Sequence, residues 1–337
     1  MDLYVIDCSL LKKGDIILER RNNRKDSLIE KQTGFKYTHA MLYVGGTLIE
    51  AEGLGVQSSN PQRHIYDYED DFVVLRPSNA TKKQIESACM YARSLVGTEF
   101  SNLAARASLQ GKVLEPHKQY CSRLVAEAYE SANYKIVSSP SSCKPSDIFE
   151  SSSLKKITNL WRVATDEDLG IVDSKGIMSS SESEINAETN YQADNTGDLL
   201  KQIRECVNDD KVQSLSDIIE YIIENQHFDD RIATIIENSD YFVQWERYKK
   251  EKPEEFDCNL FIQKYGDKSV YAAHSLLYSM NEPLRIWEIN LNIYDKLYNS
   301  YQLETFRVFK ELYEHLIEWA NERESVLMNV LFNYSNK

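Results

Sequence analysis

The chain has 337 residues, of which 42% are hydrophobic and 27% charged, and its formal net charge at pH 7 is −14. This length predicts two domains, and this composition is typical of a globular protein rather than of a disordered or fibrous one. No apolar run approaches the ~20 residues of a membrane-spanning helix, and the first residues lack the basic and apolar regions of a secretory signal. We therefore expect a cytoplasmic protein with no transmembrane segment, unless a specialised route exports it.

The charge differs between the two halves of the chain. Residues 1–165 contain 22 lysines and arginines against 19 aspartates and glutamates, whereas residues 166–337 contain 17 against 34. An acidic second half would repel phosphate groups, so we expect no nucleic-acid binding. The contrast indicates different tasks for the two halves, and one candidate task for the acidic half is to bind a protein partner.

The cysteines are widely spaced, with no Cys-x-x-Cys pair and no Cys/His cluster at zinc-ligand spacing. There are six, at positions 8, 89, 121, 143, 206 and 258. This spacing argues against a structural zinc site, and a chain of this length needs no disulfide framework. We expect reduced thiols and no structural zinc site.

The first half mixes strand and helix patterns. Short apolar runs predict strands at 14–18, 38–44, 47–51 and 71–77, and apolar residues at helical spacing predict helices at 81–97 and 120–134. The segment "SLKKITNLWRVA", residues 153–164, is expected to form one closing strand. We predict an α+β domain with a small antiparallel sheet over residues 1–165.

The composition changes after residue 165. Residues 166–195 are polar and serine-rich and lack a repeating apolar period, which is typical of a linker. From residue 196 the period is helical almost throughout, in segments that include 214–226, 231–250, 269–280, 285–302 and 304–332. We predict an all-α domain, a helical bundle, over 196–337 and assign no chemistry to it.

The segment "KYTHAMLYVGGTLIEAEG", residues 36–53, predicts a hairpin with functional side chains on it. A two-residue turn at Gly45-Gly46 would place Met41 opposite Glu50. His39 would then lie opposite Glu52 and diagonal to Glu50, on the same face of the hairpin. A carboxylate beside an imidazole fixes its tautomer and raises its basicity, as in a catalytic triad.

Cys121 is the candidate nucleophile. It lies in the first turn of the helix that "YCSRLVAEAYESA" predicts, where the helix dipole and free backbone N–H groups favour a thiolate and can hold an oxyanion. The other cysteines do not show this setting in the sequence. His64 and His117 are alternative bases, but their loop-like surroundings favour surface positions for both.

These segments together resemble a known family. "GDIIL", "THAMLYVGGTLIEA" and "YCSRLVAEAY" are similar to the circularly permuted papain-like cysteine amidases of the NlpC/p60 superfamily, of the YaeF/YiiX kind. In the ordinary order of that superfamily the cysteine helix precedes the histidine strand, whereas here the histidine hairpin comes first. Enzymes similar to lecithin:retinol acyltransferase share the permuted order. The resemblance covers about residues 10–165 and implies a permuted papain-like fold there.

The resemblance also implies roles for three residues. Cys121 would be the nucleophile, His39 the base and Glu50 the third member of a triad in a cysteine hydrolase that cleaves an amide or peptide bond through an acyl-enzyme. No cofactor is implied. The hairpin register by itself also permits Glu52. Tyr37 and Tyr120 are candidate oxyanion donors beside the Cys121 N–H.

Two other functions stay open. The same triad would serve a lipid-directed acyltransferase or thioesterase. The sequence has neither a terminal membrane helix nor a strongly basic amphipathic segment, and this counts against a lipid-directed function. Alternatively, the chain is a non-catalytic interaction protein that binds a partner through the helical domain. The first of these would act on an acyl lipid instead of an amide, and the second would bind a protein partner without cleaving it.

Overall fold

The structure is a computed structural model that describes residues 3–21, 30, 34–53, 55–165, 168 and 191–335. The chain divides into two compact units, Met1–Arg204 with Asp209–Ile218, and Glu205–Asn208 with Ile219–Lys337. Residues 166, 167 and 169–190 of the predicted linker, 166–195, lie outside the described residues.

The described part of the first unit contains two antiparallel sheets. The strands are β1 (Tyr4–Ile6), β2 (Ile16–Glu19), β3 (His39–Tyr43), β4 (Leu48–Glu52), β5 (Gly55–Ser59), β6 (Ile65–Tyr66), β7 (Phe72–Pro77), β8 (Leu154–Ile157) and β9 (Trp161–Val163). Six of them form a sheet in the order β5-β4-β3-β2-β7-β8, and the other three form a sheet in the order β6-β1-β9.

Helices accompany these sheets. They are α1 (Lys82–Ser94), α2 (Asn102–Ser108), α3 (Cys121–Ser131), α4 (Pro145–Phe149), α5 (Tyr191–Val207) and α6 (Leu215–Glu224). The last two cross the unit boundary, since residues 205–207 of α5 and 219–224 of α6 belong to the second unit. Thr81 begins α1 with a capping box, in which its side chain bonds to the backbone of Gln84 and the Gln84 side chain bonds back. Short 3₁₀ helices lie at Cys8–Leu10, Pro61–Arg63 and Pro140–Ser142.

Both faces of the six-stranded sheet are buried. On one face, Leu42 and Ile49 of the sheet belong to the same buried cluster as Leu124 and Val125 of α3. A second buried cluster, on the opposite face, contains Ile17, Met41, Leu48, Phe72 and Val74. Burial of this much apolar surface holds α3, and with it Cys121, firmly against β3 and β4.

The predicted α+β fold of the first half is confirmed. The predicted strands at 14–18, 38–44, 47–51 and 71–77 and both predicted helices are present, with ends shifted by a few residues. The single closing strand at 153–164 is wrong, because this segment forms β8 and β9 in different sheets. Between them, Asn159 has a φ of 60°, a left-handed conformation that interrupts a strand.

The second unit is helical, as predicted. It contains α7 (Asp229–Glu237), α8 (Asp240–Glu251), α9 (Cys258–Tyr265), α10 (Ser269–Tyr301) and α11 (Glu304–Ser335), with 3₁₀ helices at Gln226–Phe228, Pro253–Phe256 and Gly266–Lys268. The predicted segments 269–280 and 285–302 are one helix that continues through Pro283. In a shared cluster, Leu277, Leu284 and Trp287 on both sides of this proline pack with Trp319 of α11. No described helix is long and apolar enough to cross a membrane.

The first unit extends further along the chain than residue 165. Residues 191–204 and 209–218, which the sequence assigns mostly to the helical domain, belong to it. Arg204 donates to Glu99 at 2.8 Å, and the Thr98 hydroxyl donates to the Gln213 carbonyl oxygen at 2.9 Å. At Gly97, a Cβ atom would lie 2.7 Å from the Thr196 side chain, so a glycine is needed for this close approach.

Candidate active site

The hairpin formed by β3 and β4 has the predicted register. Met41 pairs with Glu50, and the Val44 N–H donates to the Thr47 carbonyl oxygen at 2.9 Å. Gly45 and Gly46 have φ values of 91° and 80°, the left-handed conformation that a two-residue type I′ turn requires at both positions. This turn fixes which side chains of the two strands meet.

His39 begins β3 and contacts Glu50 of β4. The His39 Nε2 atom lies 2.7 Å from Glu50 Oε2, and both side chains are buried, with 5% and 0% of their residue surfaces exposed. Burial raises the pKa of the Glu50 carboxyl, but the hydrogen bond with His39 and the positive charge of Arg21 outweigh burial and lower it. Glu50 is therefore an anion in contact with the imidazole.

Glu52 makes a different contact. Its Oε1 atom accepts a hydrogen bond from Arg21 Nη1 at 2.6 Å, and its side chain is 33% exposed. Of the two carboxylates that the hairpin register permits, Glu50 is the one that the structure places on His39. Side-chain direction thus favours the diagonal neighbour over the residue directly across the strand pair.

Cys121 is the first residue of α3, and Tyr120, in an extended conformation, is its N-cap. The sulfur lies near enough to the His39 side chain for each group to shift the pKa of the other, and the residue is only partly buried. Burial raises the pKa of the thiol, but the charge and hydrogen bond of His39 and the Ala40 backbone N–H lower it below its ordinary value. This is the environment of a reactive thiol.

The protonation of His39 follows from the same contacts. Burial and the charge of Arg21 lower the pKa of His39, but Cys121 and Glu50 outweigh them and raise it. Since Glu50 occupies Nε2, Nδ1 is the ring nitrogen left for the sulfur. A lowered thiol pKa beside a raised imidazole pKa favours a thiolate–imidazolium pair over a wide pH range.

Arg123, two residues beyond the nucleophile candidate, fixes the segments around it. Its guanidinium is buried and donates to the carbonyl oxygens of Leu114, Glu115, Lys118 and Ser141 at 2.8 to 3.1 Å. Four bonds to backbone carbonyls of the preceding and following segments hold the start of α3 in place. This role of Arg123 was not predicted from the sequence.

A buried charge network that includes Glu50, the partner of His39, was also not predicted from the sequence. It joins Arg21 to Glu19, Glu50 and Glu52, and Glu19 Oε2 accepts hydrogen bonds from Tyr66 at 2.9 Å and from His64 Nδ1 at 3.0 Å. The predicted surface position of His64 is therefore wrong, because this residue is 6% exposed and paired. One signal was available: Glu19 and Arg21 continue the two-residue period of β2, so both point to the face that carries His39.

The remaining candidates have other positions. His117 is exposed, as predicted. The hydroxyls of Tyr37 and Tyr120 donate to the carbonyl oxygens of Asp70 and Ser141, both at 3.3 Å. Cys258 also begins a helix, a setting that was predicted from the sequence for Cys121 alone. In the described ranges, no three His, Cys, Asp or Glu side chains are grouped to hold a metal ion.

Comparison with known proteins gives the family. Residues 10–182 match the family described as permuted papain-like amidase enzyme, YaeF/YiiX, C92 family. Among solved structures, the chain is similar to the metalloprotein yiiX from Escherichia coli O157:H7, with 18% sequence identity and a TM-score of 0.36 over 44% of this chain and 96% of that one. No curated protein matches the chain.

The family match spans more than half of the 337 residues and includes both the histidine hairpin and the cysteine helix. It agrees with the order of these elements along the chain, in which the hairpin precedes the helix. The chain belongs to the YaeF/YiiX, C92 family of permuted papain-like amidases and is a papain-like thiol hydrolase.

Proposed function

We propose that this protein hydrolyses an amide or peptide bond with Cys121 as nucleophile, His39 as general base and acid, and Glu50 as the group that orients His39. The observation that carries the proposal is the 2.7 Å contact between His39 and Glu50 at a site where His39 also lowers the pKa of the Cys121 thiol. Nucleophile, base and orienting group stand in the order that an activated thiol requires.

The reaction would proceed in two stages. His39 Nδ1 takes the thiol proton, and the Cys121 sulfur attacks the carbonyl carbon, so that a C–S bond forms. The C–N bond then breaks as His39 gives its proton to the leaving amine, which leaves a thioester acyl-enzyme. Water, deprotonated by His39, attacks the thioester and releases the carboxylic acid with the thiol restored.

Backbone N–H groups are the better candidates for stabilising the oxyanion. The first N–H groups of a helix have no carbonyl partner within the helix, and Cys121 begins α3. A carbonyl oxygen under attack by Cys121 would therefore lie near such donors. The Tyr37 and Tyr120 hydroxyls are less suitable, because each already donates to a backbone carbonyl oxygen.

The helical second unit has more acidic than basic residues, 22 aspartates and glutamates against 13 lysines and arginines, and we propose that it selects the substrate or binds a protein partner. Its acidic composition favours a partner with a basic surface. The first unit, which extends to residue 218, would carry the chemistry. These roles are separable by measuring amide cleavage and partner binding on the same variants.

The test uses pairs of fluorogenic substrates with the same acyl group, one an amide and one an ester, over a range of peptidyl and fatty acyl groups. We expect cleavage of at least one peptidyl amide, and a mass increase of one acyl group on the Cys121 peptide after rapid acid quenching. Cys121→Ala should abolish both signals. Cleavage confined to fatty acyl esters would favour the acyltransferase or thioesterase, and no cleavage or acyl adduct on any pair would contradict the proposal.

A further inference from the structure

Arg21 lies at the centre of three carboxylates. Its Nε atom donates to Glu19 at 2.5 Å, Nη1 to Glu52 at 2.6 Å and Nη2 to Glu50 at 2.9 Å. The arginine side chain is only 14% exposed. Each nitrogen of the guanidinium thus has its own carboxylate, an arrangement that the planar fork of arginine permits and that the single nitrogen of lysine cannot reproduce at the same positions.

The contact with Glu50 bears directly on His39. The same Glu50 oxygen, Oε2, accepts from Arg21 and interacts with His39 Nε2, whereas the other oxygen, Oε1, is buried without a hydrogen-bond partner among the described residues. The carboxylate is therefore held by two groups at one oxygen. Without Arg21, the imidazole would be its single anchor, and rotation about the last side-chain bond would be less restricted.

The contact with Glu52 removes a competitor. Met41 pairs with Glu50, and continuation of this register places Glu52 across from His39. The Glu52 carboxylate instead accepts from Arg21. One guanidinium thus fixes one carboxylate on the imidazole and holds the second away from it.

Glu19 anchors Arg21 from the other side. The Glu19 carboxylate also accepts from Tyr66 and pairs with the buried His64, so it is itself fixed. When the thiol is ionised and His39 is protonated, this network contains four anions and three cations. The anions are Glu19, Glu50, Glu52 and Cys121, and the cations are Arg21, His39 and His64. Loss of Arg21 would leave four anions against two cations.

On the basis of the proposed triad, we infer that Arg21 is a positioning residue that selects Glu50 over Glu52 as the partner of His39 and favours the ionised form of Cys121. Arg21 acts on the site through Glu50 and through its charge, because the three hydrogen bonds of its guanidinium go to carboxylates and not to the sulfur or the imidazole. A purely structural ion pair would hold the strands together but would leave the ionisation of Cys121 unchanged once the protein is folded.

The direction of the effect follows from the charges. In the pH range where the thiol ionises, His39 is already protonated because its pKa is raised. Removing a cation at that stage makes the surroundings of the sulfur more negative, so the thiolate forms at higher pH. Misplacement of Glu50 would weaken the hold on the imidazolium and act in the same direction.

The experiment measures the rate of iodoacetamide alkylation at Cys121, by peptide mass spectrometry, from pH 4 to pH 10 in the full-length chain. We compare wild type with Arg21→Met and with Arg21→Lys, which keeps the charge but replaces the three separate donor nitrogens with one. Arg20→Met is the matched control, because the neighbouring Arg20 pairs with Glu30 and Asp71 instead. Circular dichroism and thermal unfolding report whether each variant is folded.

We expect the midpoint of the alkylation profile to rise by about one pH unit in Arg21→Met and by less in Arg21→Lys, and to stay within about 0.2 unit in Arg20→Met. If Arg21→Met does not fold, the shift in Arg21→Lys decides. Folded Arg21 variants with the wild-type profile would overturn the inference. A wild-type midpoint near the ordinary thiol pKa of ~8.5 would instead overturn the proposed triad itself.

Discussion

His39 bonds to Glu50 at 2.7 Å across the diagonal of the hairpin, while Glu52 bonds to Arg21. Two carboxylates of one strand therefore have different surroundings: Glu50 is fully buried, and Glu52 is one-third exposed. Of these two carboxylates, Glu50 contacts the imidazole and Glu52 does not, so Glu50 is the one expected to orient the imidazole during proton transfer. The two residues are matched probes of the proposed triad.

Substitution of these carboxylates should separate their roles. We expect Glu50→Gln to lower kcat/KM for an amide substrate by about 10- to 100-fold, since an amide keeps a hydrogen bond but does not stabilise the imidazolium. Glu52→Gln should lower it by less than about threefold, because Glu52 bonds to Arg21 and not to the imidazole. Steady-state kinetics on folded variants give the comparison, and a larger loss in Glu52→Gln would reverse the assignment.

Removal of the nucleophile should affect chemistry far more than stability. We expect Cys121→Ala to lower the cleavage rate by at least about 10⁴-fold, because the thiol forms the covalent intermediate. Its melting temperature should stay close to that of wild type, since the side chain is small and partly exposed. Cys258→Ala, at the start of another helix, is the control and should keep full activity. The reverse pattern would exclude Cys121.

The His64–Glu19 pair predicts a specific pH dependence of stability. The pKa of His64 is raised, so its contribution is complete below the ordinary histidine pKa of ~6.5 and is lost as the pH rises through the raised value. The pKa of Glu19 is lowered, so its contribution is present above ~4.3 and is lost as the pH falls through the lowered value. The pair is therefore fully stabilising between these two ordinary pKa values.

Thermal unfolding of His64→Gln and wild type at several pH values checks this window. We expect the variant to be less stable by roughly 3–5 kcal/mol at pH 5.5, the usual cost of breaking a buried pair, with the difference narrowing above about pH 6.5. His117→Gln, which changes an exposed histidine, is the control. A difference that does not change with pH would show that His64 stabilises by packing alone.

The extent of the first unit predicts how fragments behave. Fragment 1–165 lacks Arg204 and Gln213, which bond to Glu99 and Thr98, whereas fragment 1–218 retains both contacts. We expect 1–218 to unfold cooperatively at a higher urea concentration than 1–165, because the shorter fragment exposes the apolar surface that Leu199 and Leu200 bury. Equal midpoints for the two fragments would place the boundary near residue 165.

Local signals explain how much of the site could be predicted. The Gly45-Gly46 turn fixes the register that brings β3 and β4 together, and the apolar period of α3 fixes Cys121 at its first turn. Neither depends on the rest of the chain. Turn chemistry and helical spacing are properties of short segments, so the sequence contains them directly.

Longer-range packing explains what could not be predicted. Arg21 meets Glu50 only because β2 pairs with β3, and His64 meets Glu19 across 45 residues. Likewise, α10 continues through Pro283 because residues on both sides of it pack with α11. Such contacts depend on tertiary neighbours that no single segment specifies, and tertiary packing overrides local preference.

The most direct test of the account is the rate of iodoacetamide alkylation at Cys121 as a function of pH, in wild type and in His39→Ala. We predict that Cys121 reacts as a thiolate well below the ordinary thiol pKa of ~8.5, and that the profile returns toward ~8.5 when His39 is replaced. A wild-type profile centred near 8.5, or one that His39→Ala leaves unchanged, would contradict the thiolate–imidazolium pair on which the proposed function rests.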